Sequence, residues 1–312
     1  MKTSNRLSSL VFIACVFLAL PARMNAQHEA IQDTALQRLL EEQLAGFHGE
    51  AGVYVQNLRT GQSAAINADS LFPTASMIKV SILCALFDKI YSGDLKYNQL
   101  LVYRDSMKYD DGVTGSFRDS TKIILSEIVM LMITLSDNTA ALWCQRLAGT
   151  GAAVNGWLEK NGFHQTRDNS GAPGREADHE KYGWGQTTPR EMVRLFALIR
   201  NGRAVSSDAS EEMLRVLTKP YWDEMGVSEI PPTIHVASKN GAVDASKSET
   251  DLVFAPSGEY IFSIITKNQT DTRWQFDNEG YVLIRNVSRA LWRYFEPQST
   301  WKRPPDYDRW NK

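Results

Sequence analysis

The stretch from Phe72 to Ile90 constrains the fold more than any other part of the chain. After Pro73 it is almost wholly apolar, through Val80, Ile82, Leu83, Cys84, Ala85, Leu86 and Phe87. A helix that is apolar on most of its faces is a buried helix, so the rest of the chain has to be organised around it. Its first turn nevertheless carries Ser76 and Lys79, spaced i, i+3 and therefore on one face. Burying a lysine is costly unless it is paired or neutral. A lysine that sheds its proton easily, beside a hydroxyl at a helix N-terminus, is the makings of an activated nucleophile. The spacing alone is not specific, since about one Ser-x-x-Lys arises by chance in a chain this long. A second copy, Ser299-Thr300-Trp301-Lys302, stands in a polar, proline-flanked tail where no core would surround it.

The two ends of the chain read differently from its middle. Met1 to Ala26 has the form of an export signal: Lys2 and Arg6 at the start, an apolar run from Leu10 to Leu20, and Ala26 as cleavage edge. The run is too short to span a bilayer comfortably, and no membrane span is expected after its removal. Phe12-Ile13-Ala14-Cys15 faintly resembles a lipoprotein box, but the apolar residues after Cys15 argue against lipidation there. The expectation is an exported protein, periplasmic or extracellular. Removing Lys2, Arg6 and Arg23 from the 34 basic residues leaves 31 against 36 acidic ones, a net of −5. That balance, with no basic cluster, speaks against nucleic-acid binding. Residues 27–298 suffice for one large domain or two intimate ones, followed by a polar tail over 299–312.

Hydrophobic periodicity supplies the remaining elements. Asp33 to Phe47 is an amphipathic helix with Leu36, Leu39, Leu40, Leu44 and Phe47 on one stripe. Val53 to Asn57 and Ser63 to Ile66 form a hairpin about the Arg59-Thr60-Gly61 turn. Leu125 to Leu135 is a second core helix, and Thr139 to Ala148 a third, stopped by Gly149. Between them lies the polar triplet Ser136-Asp137-Asn138, which by itself reads equally as a capping turn. Phe163 to Gly185 lacks periodicity, and loops of that length are usually functional. Thr188 and Glu191 predict a capping box around Pro189, with a helix to Arg200 and another over Ser210 to Thr218. Thr233 to Lys239, Asp251 to Ala255 and Tyr260 to Lys267 are strand-like, and Asn278 to Phe295 closes the chain as a helix. The fold class that follows is α+β. A mostly antiparallel sheet is flanked by helices from both chain ends, with an all-helical domain inserted over about residues 70–220.

The first late strand ends in Ser238-Lys239-Asn240-Gly241. Ser-x-x-Lys, Ser-Asp-Asn and Lys-Thr-Gly together mark class A β-lactamases and penicillin-binding proteins. This chain has the first two intact and a variant of the third. It resembles class A β-lactamases in particular, because Ser136 follows Ser76 by 60 residues and Lys239 follows Ser136 by 103. Pro189 of Thr187-Thr188-Pro189 also follows Ser76 by 113, and all three separations lie close to that family's. The resemblance covers roughly Asp33 to Pro297. It implies that Ser76 attacks a lactam or amide carbonyl to form an acyl-serine, with Lys79 as base or proton shuttle. It implies that Ser136 relays a proton to the leaving nitrogen. Asn138 would bind a substrate amide and help hold Lys79, and Lys239 would attract the substrate carboxylate. The backbone N–H groups of Ser76 and Ala242, beside Gly241, would form the oxyanion hole.

Two departures stand out. The family's threonine hydroxyl, which donates to the substrate carboxylate, is replaced by Asn240, whose amide donates with a different reach. The family's loop glutamate, followed by Leu-Asn, activates the deacylating water; counting back from Pro189 puts its place near Ala172. Glu176 is the candidate that the loop offers, four residues late and without the Leu-Asn that should follow. Its other reading is a solvated loop carboxylate. Cys84 and Cys144, each eight residues past its helix's serine, are open to either a disulfide or two buried thiols. The histidines have no metal-ligand spacing, and no cofactor is expected. Three functions follow: a β-lactamase-like hydrolase with slow deacylation, a penicillin-binding peptidase acting on D-alanyl-D-alanine ends, or a catalytically weak binding module. Each takes a small β-lactam or D-alanyl peptide and works as a monomer.

Overall fold

The computed structural model describes residues 30–305. The signal expected over Met1 to Ala26, Cys15 with it, and the tail beyond residue 305 lie outside the described residues. The chain opens with a short strand β1 (Ile31–Gln32), helix α1 (Thr34–Leu44) and the hairpin β2 (Glu50–Asn57) and β3 (Gln62–Ile66). Strand β4 (Phe72–Pro73) leads through a 3-10 turn, Ala75–Ile78, into helix α2 (Lys79–Tyr91). Two small strands, β5 (Leu100–Val102) and β6 (Lys122–Ile124), bracket a long polar loop. Helices α3 (Leu125–Thr134), α4 (Asn138–Ala148) and α5 (Thr150–Lys160) follow, then β7 (Arg167–Asp168), α6 (Glu176–Tyr182) and β8 (Gly185–Thr187). Helices α7 (Pro189–Arg200) and α8 (Ser207–Leu217) lead to the strands β9 (Val236–Val243), β10 (Ser246–Val253) and β11 (Tyr260–Lys267). Helix α9 (Glu279–Phe295) completes the domain.

The main sheet runs β1-β3-β2-β11-β10-β9, antiparallel throughout except at the β1–β3 edge. It is an α+β fold, and its central strands are apolar on both faces because both faces are covered. Side chains alternate along a strand. Val53 and Val55 of β2, with Phe262 and Ile264 of β11, meet Leu36 and Leu40 of α1 and Ile284 and Leu291 of α9. The opposite phase, Tyr54, Ile261 and Ile265, joins the helical layer built on α2, α3, α4 and α7. Within that layer α2 is buried from Lys79 to Phe87. Each large apolar side chain so removed from water contributes about 1.5–3 kcal/mol. Ile82, Leu83, Leu86 and Phe87 together thus outweigh the cost of one buried amine, provided its polar contacts are met.

Several boundaries differ from the sequence reading, each for a physical reason. The first late strand does not stop at Lys239. β9 and β10 form one hairpin, with Val236 opposite Val253 and Val243 opposite Ser246. Its buried polar residues hide the strand pattern, and some of them find partners across the fold: the Lys247 backbone N–H donates to Thr266 Oγ1, and Glu249 accepts from the Gly226 N–H and Ser238 Oγ. Helix α5, unassigned from sequence, starts at the same left-handed Gly149 (φ 102°) that ends α4. The stretch read as an aperiodic loop contains α6, whose seven residues expose Glu176 and leave no buried stripe. The capping box forms by half. Thr188 Oγ1 accepts from the Glu191 N–H, but the Glu191 carboxylate reaches across to the N–H groups of His164, Gln165 and Thr166, fixing the start of the loop. Cys84 and Cys144 are buried free thiols, and burial pushes both well above the usual thiol range.

Candidate active site

Three segments meet where the helical layer joins the sheet edge: the turn before α2, the α3–α4 loop and strand β9. The first brings Ser76. The second is held by Asp137, which caps α4 by accepting from the Ala140 N–H at 2.8 Å and ties in the long polar loop through the Thr114 N–H at 2.9 Å. Ser136 sits in the left-handed region there (φ 57°), as does Ala75 (φ 43°) beside Ser76. Such conformations cost of order 1–3 kcal/mol and persist only where the surroundings enforce them. The third segment approaches through Gly241: a Cβ at that position would lie 2.5 Å from the Thr74 carbonyl oxygen and 2.9 Å from Ser76 N. The absence of a side chain lets β9 press directly against the turn that carries Ser76.

The centre of the cluster is Lys79 Nζ. It lies 3.1 Å from Ser76 Oγ, 3.1 Å from Ser136 Oγ and 2.7 Å from Asn138 Oδ1, and it also contacts the Ser136 carbonyl oxygen. Carbonyl oxygens can only accept. In the neutral form of the amine these oxygens of Ser136 and Asn138 take its two N–H bonds and leave its lone pair to a hydroxyl. Burial pulls the Lys79 amine well below the usual lysine range, the nearby Lys239 charge lowers it further, and Asp137 and Asp110 oppose both. Geometry and electrostatics thus agree on a lysine able to take a proton from a serine.

Lys239 is built for the opposite state. Its Nζ donates to Ser136 Oγ at 3.1 Å, the Asn240 carbonyl at 2.9 Å and Asn240 Oδ1 at 3.0 Å, three acceptors for the three N–H bonds of an ammonium. Burial brings it down to about 7, against the pull of Glu249. Ser136 Oγ bridges the two amines. With Asn240 Oδ1 committed to Lys239, the donor end of that amide is what remains for a ligand.

Ser76, Ser136, Asn138, Asn240, Gly241 and Ala242 all line one open cavity of about 650 Å³. The structure brings these residues together with Lys79 and Lys239, which lie buried behind them. It does not bring Glu176. That carboxylate is exposed on the first turn of α6, bonded to the Gly174 N–H at 3.1 Å, and held below the usual range by main-chain hydrogen bonds. It lines a separate groove with His179 and Ala172, which Trp184 also borders. The solvated reading of Glu176 therefore matches its surroundings, because α6 turns it outward where the sequence offered only an aperiodic loop.

Two neighbours of the cluster escaped the sequence reading. Asp110 Oδ2 accepts from Asn138 Nδ2 at 2.7 Å, which fixes the Asn138 amide with its oxygen toward Lys79. Trp184 places its ring 5.8 Å from Lys79 Nζ. The only local sign of Asp110 is its place in the long polar loop; Trp184 stands between two glycines, a pattern without periodicity.

The sequence profile of the beta-lactamase enzyme family matches residues 33–295. The chain belongs to the beta-lactamase enzyme family. It is accordingly a serine enzyme of the beta-lactamase type, with Ser76 in the position that the three motifs and the cavity share. The β-lactamase of Streptomyces albus G is 31% identical over 186 residues, and the match spans 54% of this chain and only 55% of that protein. The β-lactamase of Streptomyces fradiae is 28% identical over 270 residues, 82% of this chain and 83% of that one. Among solved structures, PBP-A superposes with a TM-score of 0.77 at 25% identity, covering 87% of this chain and 99% of that chain. The β-lactamase of Sphaerobacter thermophilus shares the fold, with a TM-score of 0.75 at 22% identity over 85% of this chain and 98% of that chain.

Proposed function

We propose that this protein attacks β-lactam amides with Ser76 and is left as an acyl-serine that deacylates slowly. The observation that carries the reading is the shell of Lys79, whose carbonyl contacts leave a lone pair free for a hydroxyl 3.1 Å away. In this reading Ser76 Oγ adds to the carbonyl carbon while Lys79 takes its proton. The carbon–nitrogen bond then breaks, and the proton passes by way of Ser136 to the leaving nitrogen. The N–H groups of Ser76 and Ala242 receive the oxyanion. Lys239 and the Asn240 amide face the substrate carboxylate. Slow deacylation is supported by the surroundings. Among the described residues no carboxylate is hydrogen-bonded to Ser76, Lys79, Ser136 or Lys239, and Glu176 lies in the separate groove.

A second reading, a peptidase acting on D-alanyl-D-alanine ends, draws support from the same missing carboxylate. It also draws on the likeness to PBP-A, of which a point mutant is described as an acyl-enzyme complex with penicillin G. The monomer is proposed as the working unit, and export rests on the pattern of Met1 to Ala26 alone.

Intact-mass measurement after mixing with benzylpenicillin tests the proposal. The expected result is a persistent one-to-one adduct that is absent in Ser76→Ala. Rapid loss of penicillin with no adduct would refute slow deacylation, and an adduct on Ser76→Ala would remove Ser76 as nucleophile. Neither adduct nor loss would leave a binding module. Release of D-alanine from a D-alanyl-D-alanine peptide would favour the peptidase.

A further inference from the structure

Trp184 is placed by backbone geometry on both sides. Gly183 turns the chain in the left-handed region (φ 71°). Gly185 then runs against the Ser76 turn so closely that a Cβ would meet Ile78 and Thr74 Oγ1 at 2.8 Å. The Thr74 N–H donates to the Gly185 carbonyl at 2.9 Å, and the Asn169 N–H donates to the Trp184 carbonyl at 2.8 Å. Arg175 ties the same segment together, through Nε to Asn169 Oδ1 and through Nη2 to Gln186 Oε1. The indole is thus held over Lys79, and its other neighbour is the Tyr109 ring, edge-on at 5.1 Å. Beyond Trp184 opens the groove of about 710 Å³ that contains Glu176 and His179.

We propose that Trp184 is a shield that keeps water off the loop side of Lys79, so that an acyl group on Ser76 persists. The inference rests on the acyl-serine reading above. Hydrolysis would add the oxygen of water to the acyl carbon and break the carbon–Oγ bond. One proton of the water returns to Ser76 Oγ, and the other leaves through the base that activated it. Lys79 is the amine placed to be that base. A water bonded to Nζ sits about 2.9 Å away and needs roughly 3.5 Å more to clear a carbon ring face, about 6.4 Å in all. The ring centroid is only 5.8 Å from Nζ, so no water fits between them. On its remaining sides Nζ is already occupied by Ser76, Ser136 and Asn138. Trp184 acts through Lys79 and the space beside it, as a positioning residue.

The test compares wild type, Trp184→Ala, Trp184→Phe and Trp184→Leu as full chains loaded with benzylpenicillin. The second-order acylation rate, the decay of the adduct mass and the melting temperature are measured for each. Trp184→Ala should speed adduct decay by about tenfold or more, since a positioned base contributes about 10²–10⁴-fold; acylation, which also draws on the burial of Lys79, is read separately. Trp184→Phe should keep the slow decay, because a ring still fills the space. A merely loosened structure would impair acylation and melting together rather than accelerate one step. If Trp184→Ala does not fold, Trp184→Leu carries the same reading, with a smaller acceleration expected. Decay at the wild-type rate in a folded, normally acylated variant overturns the shield while leaving the acyl-serine intact. A wild type that forms no adduct overturns both.

Discussion

Replacing Asp110 by Asn tests the arrangement of Lys79 through a residue that touches neither serine. Asp110 Oδ2 accepts the Asn138 Nδ2–H at 2.7 Å, and Oδ1 accepts from the Gly112 N–H at 3.2 Å. An asparagine that keeps the Gly112 contact with its oxygen must turn its NH₂ toward Asn138. Two NH₂ groups then face each other, and Asn138 relieves the conflict by flipping its amide. The flip presents Nδ2 to Lys79 Nζ, 2.7 Å from where Oδ1 now accepts. Lys79 loses an acceptor, and its lone pair is taken by an amide donor in place of the Ser76 hydroxyl. Lys79 becomes an ammonium as it takes the Ser76 proton, and a hydrogen bond to a charged group contributes about 1.5–3 kcal/mol, equivalent to roughly 10–150-fold in rate. The second-order rate of acylation by benzylpenicillin should therefore fall about 10–100-fold. Stopped-flow competition with a fluorescent penicillin measures it, with the melting temperature followed in parallel. Acylation within about threefold of wild type in a folded Asp110→Asn protein would refute the argument that the Asn138 orientation controls the base.

Two further predictions concern the opposite wall. Lys239 is brought down to about 7 by burial, so its positive fraction falls as pH rises through that value. Because kcat/KM-type rates report the free enzyme, acylation by a carboxylate-bearing β-lactam should decline through the same range. An analogue with the carboxylate esterified should not show that decline, and identical profiles for the two would refute the role given to Lys239. Gly241→Ala would put a methyl 2.5 Å from the Thr74 carbonyl and 2.9 Å from Ser76 N, both main-chain atoms that cannot swing aside. Overpacking of this kind costs about 1–3 kcal/mol, roughly 2–10 °C in a domain of this size. Acylation should fall with it, and a melting temperature equal to wild type would show that β9 does not press on the turn as described.

The sequence by itself determined what depends on short-range spacing. Ser76 and Lys79 share a face because three residues make most of a helical turn, and the apolar run behind them could only be a buried helix. The Asp137 cap, the β2–β3 hairpin and the α+β order of elements were legible for the same reason: each is a pattern within a few residues. The fold decided everything that depends on which distant backbone lies beside which. Asp110 reaches Asn138 across 28 residues, and nothing local to either marks the pair. β9 and β10 carry buried lysines and carboxyls, such as Lys239 bonded to Ser136 and Glu249 to the Gly226 N–H, which sequence periodicity does not show, so their hairpin was hidden by its own polarity. Glu176 looked available to Ser76 as long as its loop had no shape. The fold turns it outward on α6 and leaves it in a groove apart from the cavity that Ser76 lines. Side-chain chemistry is written along the chain, but the face of a wall on which a residue ends is set by packing and register, which no stretch of sequence holds alone.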